Sequence, residues 1–161
     1  MIYYVMGVSG SGKTTIGAML GKRLGLPFFD ADDFHPKENI QKMSEGKPLN
    51  DDDRKGWLQA IHSKAVSVLE EEKGAVITCS ALKEVYRKAI SDGIESSVNW
   101  VFLDGNYELI KKRLEERSHF MPPDLLKSQF DTLEKPTYGT HISIEKPPAE
   151  IVEEIVKSKS L

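Results

Sequence analysis

The stretch GVSGSGKT, residues 7–14, carries a glycine-rich pattern that can bind phosphate. It fits G-x-x-x-x-G-K-[S/T], in which backbone N–H groups gather around phosphate oxygens at a helix N-terminus. Lys13 can reach the β- and γ-phosphates, and the hydroxyl of Thr14 is a ligand for Mg²⁺. The pattern predicts a nucleoside triphosphate site rather than an empty glycine turn, with contacts from Gly7, Val8, Ser9, Gly10, Ser11, Gly12, Lys13, Thr14 and Thr15.

Acidic side chains follow the next strand-like segment, in FFDADDFHP, residues 28–36. Asp30 and Asp32 are two residues apart and lie on the same side if the chain stays extended. We assign Asp32 to accept the proton of an attacking hydroxyl, and Asp30 to order the water shell of Mg²⁺. The alternative is that these acids cap a helix that begins near Pro36, which suits Asp33 better than Asp32.

A third polar cluster, NDDDR at residues 50–54, precedes an apolar helical pattern. Asn50 or Asp51 is a good N-cap, and the acids that follow complement the helix dipole. Successive residues on a helix diverge by about 100°, so three sequential aspartates cannot converge on one metal ion. The acids are therefore predicted to be mainly structural.

These polar clusters need a scaffold that brings them together. Segments 2–6, 75–79, 98–103 and 141–144 have the length and composition of strands, and 27–30 is a shorter candidate. Helical stripes lie between them, at residues 16–24 and 57–69. This alternation predicts a parallel α/β sheet that binds ligands at the carboxyl ends of its strands.

Length and composition limit the classes of protein. The chain has 161 residues, which predicts a single domain over 1–161. Its net charge of −3 argues against nucleic-acid or membrane-surface binding, so an anionic ligand needs a local positive pocket. Cys79 is the one cysteine, and neither a signal peptide nor a membrane-spanning run is recognised. A cytoplasmic location is expected.

Four stretches together resemble the gluconate kinases, and they cover almost the whole chain: GVSGSGKTT, DADDFHPKENIQKMSEGKPLNDDDRKGWL, CSALKEVYR and HFMPPDLLKSQFDTLEKP. The resemblance implies a five-stranded parallel sheet of order 2-3-1-4-5, flanked by helices. It also implies a substrate-binding segment at about 32–70 and a mobile lid at about 117–135. The implied reaction transfers the γ-phosphoryl group of ATP, with Mg²⁺, to the 6-hydroxyl of D-gluconate, and a homodimer is known in the family.

The resemblance also implies which residues hold the sugar acid. Arg54 is implied to bind its carboxylate, which suits a planar guanidinium. Alternatively, Arg54 forms a salt bridge to Asp51 on its own helix. Arg87 is implied to contact the substrate, with Lys83 a weaker candidate and His35 a further one; the two basic residues could instead be solvated surface charges.

The lid segment begins in KKRLEERSHF, residues 111–120, with Arg113 and Arg117 four residues apart. In this fold such arginines close over ATP and stabilise charge on the transferred group. Arg117 therefore joins Lys13 and Asp32 as a predicted catalytic residue, and His119 is interpreted as a lid packing or hydrogen-bonding residue.

Two other classes of function remain open at this point. One is another small-molecule kinase of the same fold, such as a shikimate or nucleotide kinase. The other is a regulatory P-loop module without turnover, against which the acids at 30–33 and the lid arginines count. A motor ATPase or GTPase is disfavoured, because CSALKEVYR has no acid directly after the third predicted strand.

Overall fold

The computed structural model describes residues 1–116 and 123–159 as alternating strands and helices. The strands are β1 (Ile2–Met6), β2 (Phe28–Asp30), β3 (Ala75–Cys79), β4 (Val98–Asp104) and β5 (Thr140–Ser143). The helices are α1 (Lys13–Leu24), α2 (Lys37–Ser44), α3 (Asp51–Glu70), α4 (Glu84–Ser91), α5 (Tyr107–Glu116), α6 (Pro123–Thr132) and α7 (Pro148–Lys159). Each predicted strand is present, with boundaries within one residue of those expected from the sequence.

All five strands are parallel and lie in the order β2-β3-β1-β4-β5. The predicted fold class is confirmed. In this order the chain reverses its winding direction beside β1, so the loops after β1 and β3 open side by side at the carboxyl edge of the sheet.

Each face of the sheet carries its own apolar core, because successive side chains on a strand point to opposite faces. Tyr4 and Ile77 face α3 and α4, where Trp57 and Ile61 are buried against them. Val5 faces the other core, which α1, α5 and α7 complete. Burial on both faces explains why β1 and β3 are apolar without alternation.

Two expectations from composition can be compared with this fold. Cys79 is buried at the end of β3, as expected of a small apolar side chain. In the described parts of the chain, no helix is long and apolar enough to cross a bilayer.

Candidate active site

The phosphate-binding loop connects β1 to α1, as the motif requires. Gly10 and Gly12 have φ angles of +82° and +95°, a region that other residues rarely adopt. A Cβ atom on Gly10 would lie 2.8 Å from the Leu114 Cγ of α5. Gly10 therefore serves both the turn and the close packing of the loop against α5.

Lys13 occupies the first position of α1, at the base of this loop. Its Nζ donates a hydrogen bond to the carbonyl of Val8 at 3.0 Å. Burial lowers the pKa of Lys13, and the nearby carboxylates of Asp32 and Asp30 oppose that change. An ammonium group held in a desolvated position interacts strongly with phosphate, since the surroundings screen its charge less than water does.

Asp30 links the phosphate-binding loop to the end of β2. Its Oδ2 accepts a hydrogen bond from the Thr14 hydroxyl at 3.3 Å, and its Oδ1 accepts one from the backbone N–H of Asp32 at 2.9 Å. The second bond caps a short 3₁₀ turn over 31–34. The chain therefore does not stay extended there, which was the condition for placing Asp30 and Asp32 on the same side. Capping falls to Asp30, whereas α2 begins after Pro36 without a side-chain cap.

The oxygen atoms around Thr14 suit a magnesium ion that is shared with a nucleotide. Mg²⁺ prefers hard oxygen ligands and usually keeps several waters and substrate phosphates. Within residues 1–116 and 123–159, no group of three or more His, Cys, Asp or Glu side chains could hold a metal alone. The Thr14 hydroxyl and the Asp30 carboxylate therefore fit an ion that depends on phosphate and water for its remaining ligands.

A cavity of about 320 Å³ opens beside Lys13 and unites most of the predicted substrate residues. It is lined by Ser9, Lys13, Asp32, His35, Met43, Lys47, Pro48, Leu49, Arg54, Trp57, Ser80, Leu82, Leu125, Ser128, Gln129 and Thr132. A larger depression of about 550 Å³ lies near β5 and contains none of the predicted site residues. The smaller cavity is therefore the candidate active site.

Asp32 is the carboxylate of this cavity. The residue is exposed, yet nearby protein atoms partly desolvate its carboxylate, which raises the pKa of Asp32 while Lys13 opposes the rise. A raised pKa makes a carboxylate a better proton acceptor. Asp33 is exposed and is not among the cavity residues.

Arg54 lines the same cavity from the first turn of α3. Its Nη1 donates to the carbonyl of Leu49 at 2.6 Å and to the Tyr86 hydroxyl at 3.0 Å. Asp51, the alternative partner of Arg54, forms an ion pair with Lys83 at 3.3 Å instead. Its carboxylate also accepts a hydrogen bond from the Tyr86 hydroxyl. The guanidinium is thus braced by neutral groups and keeps other N–H donors for a ligand.

The remaining acids of NDDDR are structural, as predicted. Asn50 caps α3 by accepting a hydrogen bond from the Asp53 backbone N–H at 2.8 Å, and the Asp53 carboxylate accepts the Asn50 N–H at 2.9 Å. Lys42 of α2 also binds the Asp53 carboxylate at 2.6 Å. This capping box fixes the start of α3 and with it the position of Arg54.

Trp57 positions two sides of the cavity, and sequence reasoning assigned it only to the core. Its indole is 1% exposed, and Nε1 donates to the carbonyl of Ala31 at 2.7 Å, next to Asp32. The His35 imidazole stacks on the indole with ring centroids 4.3 Å apart. Trp57 therefore holds Asp32 and His35 against α3.

Arg87 does not line the cavity in this structure, and its role as a substrate contact stays a prediction. Its guanidinium is buried, at 1% exposure for the residue, and forms an ion pair with Glu84 at 3.0 Å. It also donates to the Tyr138 hydroxyl and to the carbonyls of Ala81 and Glu134. Arg87 thus ties the loop after β3 to the segment after α6.

Lys83 lies outside the cavity as well. Its contact with Asp51 raises the pKa of Lys83, and the pKa of Asp51 is lowered first by the Tyr86 hydroxyl and then by Lys83. It connects the start of α4 to the start of α3 and does not reach the substrate cavity in this structure.

A second cavity, of about 290 Å³, lies on the other side of the phosphate-binding loop. Ser11, Gly12, Thr15 and Arg113 line it, and Arg113 Nη2 donates to the carbonyl of Ile144 at 2.6 Å. The contact of Arg113 with ATP stays a prediction. Arg117 and His119 lie outside the described residues.

Sequence reasoning missed Gln129 of α6. Its Oε1 accepts a hydrogen bond from the Ser9 backbone N–H at 2.7 Å, and its Nε2 donates to the Ser9 hydroxyl at 2.9 Å. Lys47 was missed too, although it adds a positive charge to the cavity. The only signal for either was its place within a segment of the family resemblance.

Comparisons with known proteins agree with this geometry. A model of the shikimate kinase family matches residues 9–158, which places the chain among the P-loop kinases. The gluconokinase of Gluconobacter oxydans (strain 621H) is 42% identical and covers 95% of this chain and 88% of its own length. The chain belongs to the gluconokinase family. The probable gluconokinase of Dictyostelium discoideum is 46% identical over 96% of this chain and 84% of that protein.

A solved structure extends the family relationship to three dimensions. The crystal structure of a gluconokinase from Sinorhizobium meliloti 1021 has a TM-score of 0.89 and 41% identity, and the match covers 98% of this chain and 90% of that one. The predicted family resemblance is confirmed, and ATP follows as a substrate of a P-loop kinase.

Proposed function

We propose that this protein catalyses transfer of the γ-phosphoryl group of ATP to the 6-hydroxyl of D-gluconate. One observation supports the proposal: Lys13, Asp32 and Arg54 line a single cavity. These side chains can bind phosphate, accept a proton and bind a carboxylate, respectively. Similarity to the gluconokinases supports gluconate as the sugar acid.

The reaction requires a proton acceptor and groups that stabilise the negative charge on the transferred phosphoryl group. The oxygen of the substrate hydroxyl attacks the γ-phosphorus, the bond from that phosphorus to the β,γ-bridging oxygen breaks, and ADP leaves. The hydroxyl proton passes to the Asp32 carboxylate, whose pKa is raised by burial. Lys13 exchanges its bond to the Val8 carbonyl for contacts with the phosphates. A lid arginine, for which Arg117 is our candidate, adds charge stabilisation.

Magnesium is part of this proposal. When bound, Mg²⁺ neutralises phosphate charge and holds the β- and γ-phosphates in one geometry. Thr14 would be its protein ligand, and Asp30 would order one of its waters, since the two side chains are already hydrogen-bonded.

The charges of the cavity support an anionic substrate. Lys13, Lys47 and Arg54 bring three positive charges, against the one negative charge of Asp32. His35 is neutral near pH 7, because burial and Arg54 lower its pKa to about 4. A sugar acid can thus place its carboxylate at Arg54 and its hydroxyls among the neutral donors and acceptors.

The oligomeric state and location are further proposals. We infer a homodimer from the family resemblance alone, and sedimentation velocity tests it. We also propose a cytoplasmic location, with no nucleic-acid or membrane partner, because both substrates are small molecules and the net charge is −3.

The product is the direct test of the proposed reaction. Purified protein is incubated with ATP, Mg²⁺ and D-gluconate, and the products are followed by ³¹P NMR. We expect ADP and one phosphate ester, coupled to the two protons of a primary carbon. An ester on a secondary hydroxyl would contradict the 6-hydroxyl assignment, and phosphate release without an ester would indicate a nucleotide hydrolase.

A further inference from the structure

Asn39, on α2, is a buried polar residue behind the cavity wall, with an exposure of 3%. Its Nδ2 lies 2.7 Å from the backbone carbonyl oxygen of Asp53 and 3.2 Å from Nδ1 of His35. It therefore bridges the capped start of α3 and a side chain that lines the cavity.

The carbonyl of Asp53 fixes the orientation of the Asn39 amide. A carbonyl oxygen can only accept, so the group that faces it must be the amide nitrogen and not the amide oxygen. That nitrogen carries two N–H bonds, one for Asp53 and one for His35. Nδ1 of His35 is then an acceptor, and a neutral imidazole that accepts at Nδ1 carries its proton on Nε2.

We propose that Asn39 is a positioning residue of the sugar-acid site: it fixes His35 as the neutral tautomer protonated on Nε2, which offers an N–H donor to a substrate oxygen. The substrate part of this inference rests on the proposed function. In the described parts of the chain, Nε2 of His35 has no hydrogen-bond partner, whereas Nδ1 is occupied.

The surroundings of His35 hold the ring in this state. Trp57 of α3 stacks on one face and prevents rotation to another plane. Arg54, on the same helix, disfavours a second positive charge, and burial lowers the pKa of His35 in the same direction. Lys13 and Lys47 also line the cavity, and among its described lining residues Asp32 is the one carboxylate. His35 thus offers an N–H donor without adding a further cation that would compete with Arg54 for the carboxylate.

The tautomer is measured on the whole protein without substrate. Two-bond ¹H–¹⁵N correlation spectra at pH 7 distinguish the two neutral tautomers from imidazolium, and the His35 signals are assigned by their loss in His35→Gln. We expect an unprotonated Nδ1 and a protonated Nε2. A proton on Nδ1, or an imidazolium at pH 7, would overturn the inference whatever the substrate is.

Substitution of Asn39 then tests its role. In Asn39→Ala the donor to Nδ1 is lost, so we expect a mixture of tautomers and a roughly tenfold lower kcat/KM for gluconate, as for one lost hydrogen bond. The KM for ATP should not change. Asn39→Asp can only accept, so the proton should move to Nδ1 or the pKa of His35 should rise.

The outcomes separate this inference from the proposed function. A tautomer unchanged in folded Asn39→Ala would overturn the positioning role, even if gluconate is the substrate. Absence of gluconate turnover in the wild type would overturn the proposed function and the substrate part of the inference, while the spectra still decide the tautomer. Signals of His62 and His141 report whether each variant is folded, since both are remote from the cavity lining.

Discussion

The side-chain oxygen of Gln129 accepts a hydrogen bond from the backbone N–H of Ser9 at 2.7 Å. Ser9 belongs to the phosphate-binding loop, whose N–H groups bind phosphate oxygens in proteins with this motif. Gln129 belongs to α6, within the predicted lid. We therefore predict that this neutral amide competes with nucleotide phosphates for the Ser9 N–H.

Replacement of Gln129 by alanine should tighten ATP binding in the absence of gluconate. One competing hydrogen bond of about 0.5–1.5 kcal/mol corresponds to a gain of roughly 2- to 12-fold in affinity. Titration calorimetry of both proteins measures it. Gln129→Glu is the matched control, since its carboxylate can still accept from Ser9 but repels phosphate, so it should bind ATP more weakly. Unchanged affinity in Gln129→Ala would show that the contact does not compete.

Lys13→Met should abolish phosphoryl transfer and leave the fold intact. The methionine fills similar space, and it removes a charge that lies in a desolvated position. We therefore expect a circular dichroism spectrum like that of the wild type and a melting temperature that is equal or higher. Residual transfer near the wild-type rate would place the phosphate site elsewhere.

Asp32→Asn should lower kcat by about 100-fold or more with a smaller change in the KM for ATP, because a proton acceptor acts in the transition state. Asp33→Asn is the control, because Asp33 adjoins Asp32 and is exposed like it, but does not line the cavity. Steady-state kinetics compare the two. A larger loss in Asp33→Asn would identify the other carboxylate as the base.

Arg54→Met and Arg87→Met should separate binding from stability. Arg54 lines the cavity, so its loss should lower kcat/KM for gluconate by a factor that corresponds to about 2 to 4 kcal/mol of lost transition-state stabilisation. The melting temperature should change little. Arg87 is buried with Glu84 and two carbonyls, so its loss should destabilise the fold by about 3 kcal/mol. Kinetics and denaturant unfolding on both variants test this contrast, which a reversed pattern would contradict.

Acidification should destabilise the wild type more than His35→Gln. The pKa of His35 is 6.5 when unperturbed and about 4 in the folded protein, so between these values the unfolded chain binds more protons. The contribution of the neutral ring to the free energy of unfolding is fully present above pH 6.5, and it is lost as the pH falls toward 4. Melting temperatures of both proteins across this range measure the difference, and parallel curves would show that His35 titrates alike in both states.

Sequence patterns predicted the fold well, because they report what each segment does locally. The continuous apolar runs of β1 and β3 are typical of parallel strands that are buried on both faces. The glycines at 10 and 12 are typical of a tight phosphate-binding turn. The start of α3 was also readable, since a cap involves residues three apart in the sequence; of the two candidates, Asn50 and Asp51, the structure has Asn50 as the cap.

Contacts between distant segments were not readable from the same patterns. The family resemblance implies that Arg87 contacts the substrate, but no pattern indicated the partners that it has in the structure, which include Glu134 and Tyr138, about fifty residues away. The bonds of Trp57 to Ala31 and of Gln129 to Ser9 have the same character. A ligand and a backbone carbonyl can each accept hydrogen bonds from an arginine, so the sequence does not distinguish the two cases. The tertiary structure is needed to show which group the guanidinium contacts.

The substrate specificity of the wild-type enzyme tests the central claim most directly. A coupled ADP-release assay gives kcat/KM for D-gluconate, for shikimate and for the uncharged polyol of the same length. We predict that gluconate exceeds each of the others by about 100-fold or more, because the polyol leaves the Arg54 guanidinium without its carboxylate and shikimate lacks the open hydroxyl chain. Equal or faster turnover of shikimate or of the polyol would contradict the assignment of this kinase to gluconate.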